Sequence, residues 1–255
     1  MQRHWVRYEH DGKTGFGALE GARVQVHVGD MFGACAPIDA VLALAEIRLL
    51  TPTVPSKVIA LWNNFHALAE KLNLAEPKEP LYLLKSPNSF LASGETIAKP
   101  AQDGKVVFEG ELGIVIGKTC SAVEPAQALE HVFGYTCAND VTLADVLNRD
   151  ASFAQWTRAK GFDTFCPMGP VVATGLDPST LTVVTRLNGE ERQRYAISDM
   201  RFTVPRLVSL ISKDMTLYPG DVILCGTSIG VGSMKPGSRV EVEIDGIGVL
   251  ANPYG

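Results

Sequence analysis

The segment FEGELGIVIGK, residues 108–118, combines the apolar alternation of a β-strand with two glutamates, Glu109 and Glu111. Successive strand side chains point to opposite faces, so Leu112 and Ile114 share one face and the glutamates share the other, roughly 6 to 7 Å apart. Two like charges this close repel each other, and burial adds a cost that protonation of one would relieve. A divalent cation also removes the conflict, because Mg²⁺, Mn²⁺ and Ca²⁺ prefer carboxylate oxygens. From this stretch alone, a solvated strand face with two ordinary glutamates explains the pattern at least as well.

Composition and charge exclude several classes of partner. The 255 residues carry a formal net charge of -5, and no basic run is longer than a pair, so we expect neither nucleic acid nor an anionic membrane as a partner. The amino-terminal segment lacks an apolar signal region, and the most apolar stretch, residues 36–50, is interrupted by Asp39, Glu46 and Arg48. The five cysteines contain no Cys-x-x-Cys pair. These features predict a soluble, cytoplasmic protein whose cysteines are mostly buried hydrophobic residues.

The order of predicted elements favours a β-rich fold with a division near Thr51. Residues 1–51 alternate in short β-like pieces and end in an apolar segment, 38–46, that we predict to be helical, followed by the proline-containing linker LLTPTVPSK. Residues 52–255 contain many strands separated by Gly, Pro, Asn or Asp. Helices are fewer, and the clearest are NNFHALAEKLN (63–73, with an asparagine cap), EPAQALEHVFG (124–134) and VPRLVSLISK (204–213). A roll or barrel-like sheet with peripheral helices fits this order best.

A third carboxylate, Asp140, follows a short apolar strand in GYTCANDVTLAD, where it can project into a site. In chain order, five motifs together resemble the fumarylacetoacetate hydrolase superfamily over roughly residues 55–253: FEGELGIVIGK, VFGYTCANDVT, RAKGFDTFCPMGP, MTLYPGDVILCGTSIGVG and KPGSRVEVEIDGIGVLANP.

The resemblance implies a β-rich α+β fold, a mixed β-roll with peripheral helices, over residues 52–255, preceded by the small β-rich segment 1–51. It also implies that Glu109, Glu111 and Asp140 bind Mg²⁺ or Mn²⁺, that the chain forms a homodimer, and that its substrate is a small 2-oxo or β-diketo acid. Three carboxylates leave positions on an octahedral ion for substrate and water.

A base could come from the predicted helix 63–73, where His66 and Glu70 lie four residues apart and share one side. Taken alone, such a pair is typical of a solvated helix. The resemblance implies a catalytic histidine–glutamate pair here, although the family spacing is commonly three and Ala69 stands at that place.

Three further assignments rest on the resemblance. It implies that Lys160 neutralises charge on a developing enolate, and that the hydroxyl of Thr164 supports the metal from the second shell. It also implies that Gly226 and Thr227, in the glycine-rich segment CGTSIGVG, receive the substrate carboxylate. Without the resemblance, a solvated lysine and a plain turn would be the ordinary interpretations.

The chain departs from the family after Asp140, where relatives carry arginine and glutamine and this sequence has Ala144 and Leu147. We hypothesise a less polar substrate tail, unless Arg149 or Arg158 supplies the charge. Residues 148–158 between the motifs could also form a lid.

The leading functional prediction is a divalent-metal-dependent hydrolase that cleaves a C–C bond in an acylpyruvate or related 2-oxo acid through a metal-held enolate, in aromatic compound catabolism. The alternative is a decarboxylase or keto-enol isomerase acting on an unsaturated 2-oxo-diacid. A glycosidase is disfavoured, because its two carboxylates must flank the scissile bond, and a purely structural metal module remains the least favoured option.

Overall fold

The computed structural model describes residues 2–255, and its central strand is the carboxylate-bearing segment identified above. Within those residues the strands are β1 Arg3–His10, β2 Lys13–Glu20, β3 Arg23–Gly29, β4 Cys35–Ala43, β5 Arg48–Leu49, β6 Val58–Trp62, β7 Leu81–Lys85, β8 Phe90–Leu91, β9 Val106–Phe108, β10 Gly110–Ile116, β11 Val132–Asn139, β12 Thr142–Leu143, β13 Cys166–Thr174, β14 Thr182–Leu187, β15 Glu190–Ala196, β16 Val222–Leu224, β17 Gly232–Ser233, β18 Arg239–Ile244 and β19 Gly248–Pro253. The α-helices are α1 His66–Leu72, α2 Pro125–Ala128, α3 Ala144–Leu147, α4 Trp156–Lys160 and α5 Val204–Asp214. Short 3₁₀ turns cover Leu44–Glu46, Pro87–Ser89, Leu129–His131, Pro178–Thr180 and Ile197–Asp199.

Most strands join one mixed sheet of twelve, whose main order is β4-β3-β2-β1-β13-β11-β10-β16-β6-β7. A four-stranded sheet, β15-β14-β18-β19, and a three-stranded sheet, β12-β9-β17, complete the β structure. β10 is antiparallel to both β11 and β16, whereas β16 and β6 are parallel. The predicted β-rich fold with peripheral helices is confirmed.

Alternate side chains of strand β10 enter two different hydrophobic clusters, as the alternation of its sequence predicts. Leu112, Ile114 and Ile116 belong to the larger cluster, and Val115 belongs to another on the opposite face. Every residue of β10 is buried, including Glu111. A solvated strand face therefore does not explain Glu111.

The structure corrects several local predictions. The helix predicted over 124–134 gives way to a 3₁₀ turn at Leu129–His131, and residues 132–134 already belong to β11. Residues 38–46 do not form a helix, because most of them continue β4, which pairs antiparallel with β3 at the edge of the large sheet. The helix predicted over 63–73 begins at His66, and no asparagine caps its start: Asn63 has a positive φ of 55°, and the residue before the helix is Phe65. The backbone N–H of Ala67 donates instead to the carboxylate of Asp199, at 3.1 Å.

The amino-terminal strands are part of the large sheet. β1 pairs with β13, matching Arg3 with Thr174, and the indole of Trp5 packs against the ring of Phe133 on β11. The division near Thr51 therefore stays a prediction about domain organisation. None of the helices in residues 2–255 combines the length and hydropathy needed to cross a lipid bilayer.

Candidate metal centre and active site

Glu109, Glu111 and Asp140 converge at the ends of β10 and β11. Glu109 interrupts the strand, and its backbone N–H donates to the side-chain carbonyl of Asn139 at 2.9 Å. The N–H of Asp140 donates back to the carbonyl of Glu109, also at 2.9 Å. These bonds fix the two chain segments to each other, and one oxygen from each of the three carboxylates lies within 4.8 Å of the others.

Two buried lysines neutralise part of this charge. The ammonium of Lys160, at the end of α4, lies 2.7 Å from Asp140 Oδ2 and 3.0 Å from Glu109 Oε2, and it donates to the hydroxyl of Thr142 at 2.7 Å. Lys85, at the end of β7, places its Nζ 2.7 Å from the other oxygen of Asp140. Both oxygens of Asp140 therefore face an ammonium group, and the role of Lys160 toward an enolate stays a prediction.

The electrostatics differ among the three carboxylates. Burial, reinforced by the charges of Asp140 and Glu109, raises the pKa of Glu111 well above its ordinary value. Burial also raises the pKa of Glu109, although Lys160 opposes the change. For Asp140, burial is outweighed by Lys160 and Lys85, which together lower its pKa. The same carboxylates outweigh the burial of Lys160 and raise the pKa of that ammonium. Both lysines contact Asp140 or Glu109, so Glu111 is the carboxyl group of the three without an ammonium partner within residues 2–255.

Glu111 has the properties of an open metal ligand. Its Oε2 accepts the N–H of Gly226 at 2.7 Å, whereas its buried Oε1 has no hydrogen-bond partner in residues 2–255. Buried polar atoms are normally paired, so this oxygen indicates a further positively charged group. Because the donor set consists of hard carboxylate oxygens, it fits Mg²⁺ or Mn²⁺ better than a soft transition metal.

Gly226 and Thr227 lie against the carboxylate strand, where they contact Glu111 and Gly110. Gly226 has a φ of +86°, which glycine adopts without strain, and this turn aims its N–H at Glu111. The hydroxyl of Thr227 donates to the carbonyl of Gly110 at 3.0 Å and accepts the side-chain amide of Gln193 at 2.9 Å. The segment is thus built around the site, and its contact with substrate stays a prediction.

His66 and Glu70 are less closely joined than the predicted pair. Both are exposed on α1, and within residues 2–255 no hydrogen bond or ion pair links them. The helix does begin near the carboxylates, because the side chain of Asn64 donates to the carbonyl of Cys225, the residue before Gly226, at 2.8 Å. His66 is thus an exposed residue at the start of this helix, two residues after Asn64, and its catalytic role stays a prediction.

Thr164 does not support the carboxylates, in contrast to the prediction. Its backbone has a positive φ of 66°, and its hydroxyl accepts the N–H of Ala98 at 2.7 Å and donates to the carbonyl of Asp163. Thr142 is the threonine that contacts the carboxylate cluster, because its hydroxyl donates to Glu109 Oε1 at 3.0 Å.

The sequence-based reasoning missed Lys85 and Thr142. Two features of the sequence could have indicated them. Lys85 ends the apolar strand LYLLK on the same face as Leu81 and Leu83, and Thr142 follows Asp140 by two residues. Neither is distinctive without knowledge of which strands are neighbours.

The region that departs from the family lies at the rim of this cluster. Ala144 is exposed at the start of α3, and Leu147 packs against the hydrophobic cluster below that helix. Arg149 and Arg158 are exposed, and Arg149 contacts Gln102 at 3.4 Å. Neither arginine forms a bond to the carboxylates among residues 2–255.

Comparisons with known proteins agree with this geometry. The sequence model described as fumarylacetoacetate (FAA) hydrolase C-terminal matches residues 57–254, and the one described as Rv2993c-like, N-terminal matches residues 3–52. Among curated proteins, the chain is similar to oxaloacetate tautomerase YisK of Bacillus subtilis, with 37% identity over 84% of this chain and 75% of the relative.

Solved structures show the same fold. The structure of 2-hydroxyhepta-2,4-diene-1,7-dioate isomerase from Mycobacterium marinum aligns with a TM-score of 0.91 and 37% identity, over 99% of this chain and 98% of that one. Fumarylpyruvate hydrolase from Pseudomonas aeruginosa, solved in complex with Mn²⁺ and pyruvate, aligns with a TM-score of 0.73 and 29% identity, over 81% of this chain and 98% of that one. The predicted β-roll is thereby confirmed, and the chain belongs to the fumarylacetoacetate hydrolase family.

Proposed function

We propose that this protein is a divalent-metal-dependent enzyme that interconverts the keto and enol forms of a 2-oxo acid. The observation that carries the proposal is the buried cluster of Glu109, Glu111 and Asp140, with the ammonium of Lys160 held between two of its carboxylates. Such a cluster combines a hard-cation site with a fixed positive charge in a place sheltered from water.

Metal binding, charge stabilisation and proton transfer would fall to different residues of the chain. Glu109, Glu111 and Asp140 would hold Mg²⁺ or Mn²⁺, which supplies Lewis acidity toward the oxygens of a 2-oxo acid when bound. Lys160 is buried and already ionised, so its ammonium can stabilise negative charge that develops on an enolate oxygen without reorganising. The positive-φ turn at Gly226 places a backbone N–H at the edge of the cluster. His66 would exchange the proton at carbon, acting as a single base.

Two findings favour isomerisation over hydrolysis. Hydrolysis needs an activated water as well as an electron sink, whereas His66 and Glu70 are not bonded to each other. A keto-enol conversion requires only one proton-transfer group. In addition, the relatives named as a tautomerase and an isomerase are each 37% identical to this chain, compared with 29% for fumarylpyruvate hydrolase.

Hydrolysis of an acylpyruvate is the second candidate. The position of His66 near the site favours it, since hydrogen bonds of catalytic groups in ligand-free enzymes often form only when substrate binds. Glu70 lies one turn along α1 and could orient the imidazole at that stage.

The test compares both reactions in one protein preparation. Protein stripped of metal with a chelator and reloaded with Mg²⁺ or Mn²⁺ would be assayed for ketonisation of enol-oxaloacetate and for cleavage of an acylpyruvate, with products identified. We expect metal-dependent ketonisation that Glu111→Gln reduces at least tenfold and that the exposed-site control Glu130→Gln leaves unchanged. Cleavage without ketonisation would favour the second candidate, and absence of both activities would contradict the proposal.

A further inference from the structure

Strand β15 buries two hydrogen-bonding side chains, Gln193 and Tyr195, whereas its other residues are exposed. The strand forms one edge of the four-stranded sheet. Inward-facing strand positions are usually apolar, because burying an amide or a hydroxyl without partners is costly. Both side chains bond to Gly110, the residue between Glu109 and Glu111. The inner face of β15 is therefore polar where it meets the carboxylate strand.

Gly110 needs these partners because the large sheet does not supply them. The register between β10 and β16 covers residues 113–115, so Gly110 has no strand partner on that side. A buried backbone N–H or carbonyl left unpaired would be costly. Gln193 Oε1 accepts the N–H of Gly110 at 3.0 Å, and the hydroxyls of Tyr195 and Thr227 donate to its carbonyl. Side chains thus replace a strand next to the two glutamates.

Three of these bonds form a closed ring. The N–H of Gly110 donates to Gln193 Oε1, Gln193 Nε2 donates to the Thr227 hydroxyl at 2.9 Å, and that hydroxyl donates to the carbonyl of Gly110 at 3.0 Å. The N–H belongs to the peptide group that follows Glu109, and the carbonyl belongs to the one that precedes Glu111. The ring therefore holds both peptide groups that separate the two glutamates.

The amide of Gln193 also holds the turn that contacts Glu111. Its Nε2 lies 3.2 Å from the carbonyl of Ser228, in addition to its bond to Thr227. In the same turn, the N–H of Gly226 donates to Glu111 Oε2 at 2.7 Å. Gln193 is 1% exposed, so water does not compete for these bonds. One side chain thus joins the carboxylate strand to the 226–228 turn.

We infer that Gln193 is a positioning residue of the metal centre, which fixes the spacing of Glu109 and Glu111 for a small divalent cation. The inference rests on the proposed function, because it takes the carboxylate cluster to be the metal site. Mg²⁺ demands a nearly ideal octahedral arrangement of oxygens, whereas the larger Ca²⁺ accepts flexible coordination. Loss of the ring should therefore weaken the binding of Mg²⁺ more than that of Ca²⁺.

The experiment measures the binding of each metal separately from turnover. Calorimetry on the chelator-treated full chain would give the affinities for Mg²⁺ and Ca²⁺. Gln193→Met keeps the length of the side chain and removes its hydrogen-bonding atoms. We expect this variant to bind Mg²⁺ about 10- to 100-fold more weakly, as is typical when a group that orients metal ligands is lost, and to change Ca²⁺ affinity less than about threefold.

Val24→Ala is the control for a general loss of stability, because it truncates a fully buried side chain of β3, far from β10 in the strand order. It should lower the thermal unfolding midpoint and leave both metal affinities unchanged. Thr227→Val opens the same ring with a side chain of equal size, which provides a second variant if Gln193→Met is unstable. It should shift the Mg²⁺ to Ca²⁺ preference in the same direction.

The outcomes separate this inference from the proposed reaction. Unchanged Mg²⁺ affinity in Gln193→Met, or an equal loss of Mg²⁺ and Ca²⁺ affinity, would overturn the inference while metal-dependent ketonisation by the unaltered protein still supports the proposed function. If only Thr227→Val folds, an unchanged preference between the two metals would have the same meaning. Selective loss of Mg²⁺ affinity in a protein without ketonisation activity would support the positioning role and refute the proposed reaction.

Discussion

Glu111 links the stability of the protein to pH and to metal binding. Its pKa in the folded protein is raised well above the ordinary 4.5, so between those two values the folded state binds more protons than the unfolded state. The free energy of unfolding then decreases as pH rises through this window. Glu109 acts in the same direction, and the lowered pKa of Asp140 has its effect at lower pH, near and below its ordinary 3.8.

We therefore expect the thermal unfolding midpoint of the metal-free protein to fall as the pH rises above the ordinary pKa of 4.5, and Mg²⁺ to reverse much of the loss. The measurement is a series of thermal unfolding curves with chelator or with Mg²⁺. Glu111→Gln removes one titrating group, so its metal-free curve should depend less on pH. A wild-type midpoint that rises steadily over this range in chelator would contradict the prediction.

Lys85 holds Asp140 in place from the side opposite Lys160. Its side chain is fully buried, and its ammonium also donates to the carbonyl of Phe165 at 2.9 Å. Removing one member of a buried ion pair leaves the other charge uncompensated, so Lys85→Met should lower the free energy of unfolding by about 3 to 5 kcal/mol. Denaturant unfolding would measure this loss, with the exposed-site variant Lys118→Met as the control. A loss no larger than that of the control would show that Lys160 alone compensates Asp140.

The candidate site was predictable where its geometry is local. Alternation along residues 107–116 predicts that Glu109 and Glu111 share a face, although the structure divides this run at Glu109 into β9 and β10. The motif after β11 supplies Asp140. Lys85, at the end of β7, contacts Asp140 only because the fold brings β7 and β11 together, although the two strands are far apart in the sequence. No local sequence pattern predicts that contact. Thr164 was assigned through its motif, but a positive φ turned its hydroxyl toward Ala98.

The first turn of helix α1 is stabilised by a residue far away in the sequence. Asp199, in the turn that follows β15, accepts the N–H of Ala67, and no side chain of the preceding residue Phe65 can do so. Asp199→Ala should destabilise the start of α1 by about 1 kcal/mol. Hydrogen exchange should then be faster at Ala67, and turnover should fall if His66 is the base.

Asp30→Ala is the matched control for this change, because Asp30 accepts the N–H of Phe32 between β3 and β4, at the opposite end of the strand order from β6 and β7. It should leave exchange in α1 unaltered. Equal exchange rates at Ala67 in the Asp199 variant and the unaltered protein would show that the bond contributes nothing to the helix.

Element β4 shows why intrinsic propensity misled the prediction. Residues 38–46 are rich in alanine and leucine, which favour a helix in isolation. In the structure, the backbone of β4 pairs with β3, and Val41 remains 55% exposed on this edge strand. Pairing with a neighbouring strand outweighs a propensity of a few tenths of a kcal/mol per residue, and Pro37 is tolerated because the strand is at the edge.

For the whole molecule, the amino-terminal strands and the family-matched region share one sheet. Trp5 is buried between β2, β3 and β11, where its ring contacts Phe16, His27 and Phe133. We expect a single cooperative unfolding transition, with coincident denaturant curves from circular dichroism and tryptophan fluorescence. Trp5→Ala should lower the free energy of unfolding by about 3 to 5 kcal/mol and shift both curves together.

The control is Phe153→Ala, which alters an exposed aromatic side chain. Two separate transitions in the unaltered protein, with only the first shifted by Trp5→Ala, would establish residues 1–51 as an independent unit and contradict this expectation.

Gly110, between the two glutamates, has a consequence for how the enzyme can change. Its N–H is bound by Gln193, its carbonyl accepts Tyr195 and Thr227, and a Cβ at this position would collide with the hydroxyl of Thr185. A substitution here would disturb the packing of the four-stranded sheet and the spacing of the carboxylates together. Within residues 2–255, the exposed side chain of Ala144 at the start of α3 has no comparable packing role. Under the proposed function, we therefore expect substitutions near Ala144 to change the substrate more readily than substitutions at Gly110.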